Sequence, residues 1–178
     1  MAIQNEYARH QRPGFYGDVS RPVPPSVFDL GQVSVAVKPG SGVLYDATAD
    51  KWRLPTTDAE RLDVTGIVSF DSAVVANRDG VIEYPVDTII KVGVMGHFYA
   101  QAGEVLEYGD LVVFDQVAGD WIKYTRTVED FSGTVDASAI SDYVRDAINT
   151  LPKAPIIAVS DAVAGGLVDL RLSGALVR

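Results

Sequence analysis

Only a few residues in this chain could do bond-making chemistry. There are two histidines and no cysteine. His10 lies in a proline-rich start, and His97 stands in Gly96-His97-Phe98-Tyr99. The lack of thiols excludes disulfides, thiolate metal sites and cysteine nucleophiles. A metal set needs several imidazole, thiolate or carboxylate groups that converge, and no second histidine or close acid cluster stands near either one. His97 therefore reads as a packed or surface side chain. A serine hydrolase would need a nucleophile turn such as G-x-S-x-G, and none is present. Nor does any G-x-x-x-x-G-K-[ST] or G-x-G-x-x-G stand between a strand and a helix. Lys38-Pro39-Gly40-Ser41-Gly42 has a phosphate-loop composition but precedes a strand, so no helix N-terminus receives an anion there. It reads as a turn.

Carboxylates remain, and paired acids can drive glycoside hydrolysis. Most of them mark turns: Asp50, Asp79, Asp110 and Asp120. An aspartate at a turn usually bonds nearby backbone amides. Asp130 and Asp136 flank a helical segment and read as caps or solvent-facing charges. Asp46 and Asp115 recur in a repeat described below, and repetition argues for a structural task at a strand end. No calcium loop of the D-x-[DN]-x-[DN]-G form is present. The residues carry no enzyme, cofactor or metal expectation.

The elements that carry these residues are mainly strands. The chain has 178 residues, 47% of them hydrophobic, enough to bury a core. Net charge is −9 at pH 7, against a general nucleic-acid binding field. No apolar run approaches the ~20 residues of a membrane-spanning helix. Residues 1–12 carry charge and no apolar stretch, unlike a signal peptide. From residue 31 onward, short runs of Val, Ile, Thr, Tyr and Phe alternate with Gly, Asp and Asn turns. That pattern predicts strands at 33–37, 43–46, 66–70, 81–84, 88–94, 97–101, 111–114, 121–124, 156–159 and 167–172. Asp79-Gly80 fits a tight hairpin. One segment breaks the pattern. Ile140, Val144, Ala147, Ile148 and Leu151 fall on one helical stripe, with Asp136 or Ser138 as cap and Pro152 as stop. They predict a helix over about 138–150.

Residues 1–30 have a different character. They hold three arginines and three acids, so they sum to zero, and four of the nine prolines lie among them. Proline blocks helices and central strands. The aromatics there exceed what a linker needs. The segment reads as an extended arm lying on another surface, with a disordered tail as the alternative. Its anchors would be Tyr7, Arg9, Arg12, Phe15, Tyr16, Arg21 and Phe28, aromatic and arginine side chains of the kind enriched at contact surfaces.

Residues 40–54, GSGVLYDATADKWRL, align without gaps to 109–123, GDLVVFDQVAGDWIK, at an offset of 69. Gly40, Val43, Asp46, Ala49 and Trp52 match Gly109, Val112, Asp115, Ala118 and Trp121. Each copy reads as a hairpin with an aromatic-Asp strand end and a tryptophan opening the return strand. A further strand follows each hairpin. Matching Val68-Ser69 to Val159-Ser160 gives an offset of 91, so 22 extra residues enter the second copy, and the helix lies among them. The chain therefore reads as a small β-barrel or β-sandwich, residues 31–178, made of two related units at about 31–71 and 88–174.

The layout resembles the capsid cement, or head decoration, proteins of tailed phages. The matching pieces are Thr88–Val94, Gly96–Gln101, Val105–Trp121 and the ending IIAVSDAVAGGLVDLRLSG. The resemblance implies a β-rich structural protein on the outer capsid surface, often trimeric, that bridges neighbouring major capsid proteins and stabilises the shell. It implies no catalytic residue, cofactor, nucleic acid or membrane. The alternatives are a tail- or fibre-associated virion domain, or a carbohydrate-binding module that stacks sugars on Trp52 and Trp121.

Overall fold

Short apolar runs between glycine and aspartate turns become strands in the computed structural model, which describes residues 16–21, 26–71, 82–125, 145, 151–152 and 154–173. The strands are β1 (Val19–Arg21), β2 (Val27–Gln32), β3 (Gly42–Asp46), β4 (Lys51–Arg53), β5 (Gly66–Val68), β6 (Ile89–Gln101), β7 (Leu111–Asp115), β8 (Asp120–Lys123), β9 (Ile156–Ala158) and β10 (Leu167–Leu172). A 3-10 turn at Glu60–Asp63 precedes β5. The strands pair antiparallel in the order β4-β3-β5-β6-β10-β9-β7-β8, and β1 and β2 also pair with β6. The path is open, since its ends do not meet. The protein is mainly β, as its patterning predicts, and of barrel and sandwich the open path fits a sandwich-like arrangement.

The centre is β6, whose 13 residues serve two sheets' worth of partners. Its first half pairs with β2 and β5. Its second half pairs with β1 and β10. The change-over is marked by a register shift opposite Val27/Phe28 and by Gly96 at φ 128°. Gly93 admits no side chain: a Cβ there would lie 2.2 Å from the Phe98 ring. Two clusters fill the interior. Val33, Val37, Val43, Trp52, Val68, Tyr84, Ile90 and Val92 form the first. The second gathers Phe98, Phe114, Trp121, Ile156, Val168, Leu170 and others, with Val64 and Ile67 from the first half of the chain. Each such buried apolar side chain contributes about 1.5–3 kcal/mol over its exposed state.

The internal repeat extends well beyond the hairpins. Val33 bridges Trp52 in parallel as Ala102 bridges Trp121, and Val37 faces Tyr84 as Leu106 faces Ala162. Gln32 pairs with Ile89 as Gln101 pairs with Leu167. The turns repeat too, with positive φ at Gly40 and Gly109, Asp50 and Gly119, Asp87 and Gly165. β2 is thus equivalent to the second half of β6, β3–β5 to β7–β9, and the first half of β6 to β10. The first unit runs over 27–95 and the second over 96–172, so β6 ends one unit and begins the next. The first unit is longer than the sequence comparison predicts, and the second begins later, at the middle of β6. Its register after the hairpin also needs a one-residue correction. Gly42 pairs with Ile67 as Leu111 pairs with Ile157, an offset of 90 instead of 91.

Other sequence expectations meet the structure differently. The strand predicted at 33–37 is replaced by two isolated bridges, because the chain leaves β6 after Gln32 to reach Trp52 and then Tyr84. The strands predicted at 88–94 and 97–101 are one strand, β6. The boundary placed between residues 30 and 31 falls inside β2, and Val19–Arg21 and Val27–Gln32 both lie along β6. Of the helix expected over about 138–150, only Arg145 is described, and it is helical. The rest of that helix and the Asp79-Gly80 turn lie outside the described residues.

Candidate interaction surface

The repeat allows each position of one unit to be compared with its equivalent in the other. The hairpins are alike. Tyr45 meets Trp52 edge-on at 5.4 Å and 62°, and Phe114 meets Trp121 at 5.4 Å and 63°. Trp52 is 3% exposed and Trp121 fully buried, so neither ring can stack a sugar. Asp46 Oδ1 accepts from the Thr48 and Ala49 N–H groups, and Asp115 Oδ1 from that of Val117. These repeated aspartates hold their turns, and arginines approach both: Arg53 at Asp46 and Arg61 at Asp115.

The units differ around β2 and its counterpart. In the second unit, Gly17 N–H donates to the Tyr99 carbonyl at 2.6 Å, and Tyr99 N–H donates to the Asp18 carbonyl at 2.9 Å. Gly17 also accepts from Phe70 N–H. It must be glycine: its φ is +81°, and a Cβ would lie 2.4 Å from the Val68 carbonyl oxygen. The segment 16–21 is therefore fastened to the body. Beneath it, Ser20 Oγ donates to Asp169 Oδ1, and His97 Nδ1 lies 3.5 Å from the same oxygen. Ser20, His97 and Asp169 are all buried. They do not form a catalytic triad, because the serine bonds the carboxylate and not the imidazole. The Ser20–Asp169 bond links β1 to β10, and His97 of β6 lies beside it with its Nδ1 unpaired among the described residues.

In the first unit the equivalent of Tyr99 is Leu30, and the equivalents of His97 and Asp169 are Phe28 and Lys91. The ammonium of Lys91 sits 3.8 Å over the Phe28 ring, a cation–π contact. Phe28 also packs edge-on against Phe98 at 5.7 Å. Leu30 is 70% exposed and Ile89, diagonal to it across the β2–β6 pair, is 67% exposed. Val27 and Met95, a cross-strand pair, are exposed as well. In the second unit Val105, Tyr108 and Val163 form a further exposed apolar group around the Leu106–Ala162 bridge.

The residues named from the sequence as contact anchors are distributed as follows. Tyr7, Arg9, Arg12 and Phe15 lie outside the described residues. Tyr16 is partly exposed beside Gly40. Arg21 pairs with His97 through the backbone of β1. Phe28 is committed to internal packing. Leu30 and Ile89 escape composition-based reasoning, because one exposed Leu or Ile in a strand looks like any other apolar strand residue. Among the described residues, no three of His, Asp and Glu come together as a metal set.

The sequence matches the family model described as "Structural cement protein (E217 gp24/Pam3 gp6)" over residues 3–173. No curated protein matches it. Among solved structures, "The capsid of Myoviridae Phage XM1" aligns with a TM-score of 0.59 at 14% identity, covering 99% of this chain and 100% of that one. "The crystal structure of head fiber gp8.5 N base in bacteriophage phi29" aligns at 13% identity with a TM-score of 0.42, covering 86% of this chain and 99% of that one. The first of these alignments agrees with the fold described above. The family match extends from the N-terminal segment through β10, and on it the chain belongs to the phage structural cement protein family.

Proposed function

We propose that this protein binds the outer surface of an assembled phage capsid and stabilises the shell by bridging neighbouring major capsid proteins, as a trimer. The observation that carries the reading is the family match over residues 3–173. The architecture supports it. The body is strand-built, its polar clusters serve turns and strand pairing, and its exposed apolar side chains include one group around Leu30 and Ile89 and another around Tyr108. Residues 1–15, with Tyr7, Arg9, Arg12 and Phe15, supply further contacts. Each contact is weak alone, and several contacts per trimer on a lattice multiply the effective affinity. A protein that binds the assembled shell in preference to free subunits stabilises it by mass action.

The reading is tested by adding purified protein to capsids that lack it. Saturable co-sedimentation, with a raised temperature of capsid disruption, is expected. Absence of binding to intact shells contradicts it. Binding restricted to tails or fibres would favour another place in the virion.

A further inference from the structure

We infer that the outer edge of β2 is an acceptor for an extended strand of the shell protein, bound antiparallel with a basic side chain beside Asp29. Val33 N–H donates to the Thr88 carbonyl. By the alternation of an antiparallel ladder, Asp29 and Gly31 turn their backbone groups toward β6, while Phe28, Leu30 and Gln32 turn theirs outward. Among the described residues no strand pairs with that outer edge. Among the described residues the bond found there is a local one, from Leu30 N–H to Asp29 Oδ1 at 2.8 Å.

The chain itself shows what fits such an edge. Tyr99 is the repeat equivalent of Leu30, and its outward N–H and C=O are both taken by the antiparallel segment Gly17–Asp18. That segment also buries the His97–Asp169 face beneath it, whereas no described segment covers the equivalent Phe28–Lys91 face of the first unit. The second unit carries a strand where the first, among the described residues, leaves a row of open donors and acceptors flanked by exposed Leu30 and Ile89. An edge of this kind recruits an extended partner by main-chain hydrogen bonds and reads it through the flanking side chains.

Charge selects among occupants. A strand that takes Leu30 N–H displaces the Asp29 carboxylate, which then needs a cation. Two copies pairing β2 with β2 would bring their Asp29 carboxylates together, and like charges across strands oppose pairing. The same carboxylate keeps the free edge from self-association. The occupant is therefore a strand of a different protein. This inference rests on the reading that the chain binds the shell.

Leu30→Pro removes only an outward N–H, at a position where an edge strand tolerates proline. Leu30→Thr keeps that N–H. We expect Leu30→Pro to weaken capsid binding about tenfold or more, and Leu30→Thr to weaken it much less. Backbone hydrogen exchange on the wild-type protein, with and without capsids, is the second readout and needs no variant. The Leu30 and Gln32 amides should gain protection only when shells are present. Unchanged binding of a folded Leu30→Pro, or no gain in protection on shells, overturns the strand-acceptor site while leaving shell binding intact. Protection that rises with protein concentration alone would assign the edge to a second copy and overturn the inference. Failure of the wild-type protein to bind shells strikes the functional reading instead.

Discussion

Trp121 donates its indole N–H to the Gly40 carbonyl over 2.8 Å, and the bond fastens the second unit's core to the turn that opens the first unit's hairpin. Trp52 holds the same place in its own unit, yet its Nε1 has no partner among the described residues. It lies against Gly31, where a Cβ would come within 2.7 Å of the ring. The two tryptophans therefore share packing and differ in linkage.

This difference sets a first prediction. Trp52→Ala and Trp121→Ala each destabilise the fold by about 3–5 kcal/mol. Trp121→Phe adds a loss of its own, about 1–3 kcal/mol, from the buried Gly40 acceptor left unpaired. Trp52→Phe loses no bond and costs less. Urea unfolding of the four variants provides the comparison, and equal costs for the two Phe variants would contradict the assignment.

A second prediction concerns the strap formed by residues 16–21. Gly17→Ala places a Cβ against Val68 and Phe70 at a positive φ. The strap should release from β6, with a loss of stability above about 1 kcal/mol. Limited proteolysis should then cut within residues 16–21 in the variant and not there in the wild-type protein.

Deletion of residues 2–15 should leave a folded body with weakened capsid binding. Deletion of residues 2–30 removes β1 and most of β2, uncovers Phe98, leaves the buried Asp169 without its Ser20 donor, and should not yield a stable fold. Thermal melting and capsid co-sedimentation of both truncations check this. A well-folded 31–178 fragment would show that β1 and β2 add little.

Acid should weaken the first unit through Glu60. Arg53 guanidinium hydrogen bonds, and then the Thr56 N–H and hydroxyl, hold the Glu60 carboxyl well below its ordinary range. A depressed folded value gives stability that is present above the unfolded value of about 4.3 and is lost as pH falls below it. Glu60→Gln should be less stable than wild type at pH 7, and the gap should narrow steadily as pH falls from about 5 to 2. Parallel denaturation curves across that range would remove Glu60 as a contributor.

The hairpins were legible in the sequence because glycine turns, aromatic-Asp strand ends and buried tryptophans answer the same local demands in both units. The equivalence of β2 with the second half of β6 was not. VFDLGQ and its counterpart GHFYAQ share only the final glutamine, since one strand faces solvent where the other lies under β1. Only the backbone ladder reveals their kinship. Letter matching favoured Val68-Ser69 with Val159-Ser160, while the hydrogen-bond register aligns Ile67 with Ile157. β1 escaped notice because Val-Ser-Arg is too short to show a strand period beside so many prolines. Composition points to residues 1–30 as a contact segment, but Phe28 among them packs against Phe98 and Lys91. Leu30 acquires meaning only from the unpaired edge on which it sits.

The central claim is that the protein acts by holding an assembled lattice. Capsids stripped of it should regain resistance to heat when the purified protein is restored, with saturation at a fixed number of copies per shell. Binding that leaves the disruption temperature unchanged, or no binding at all, would contradict the account.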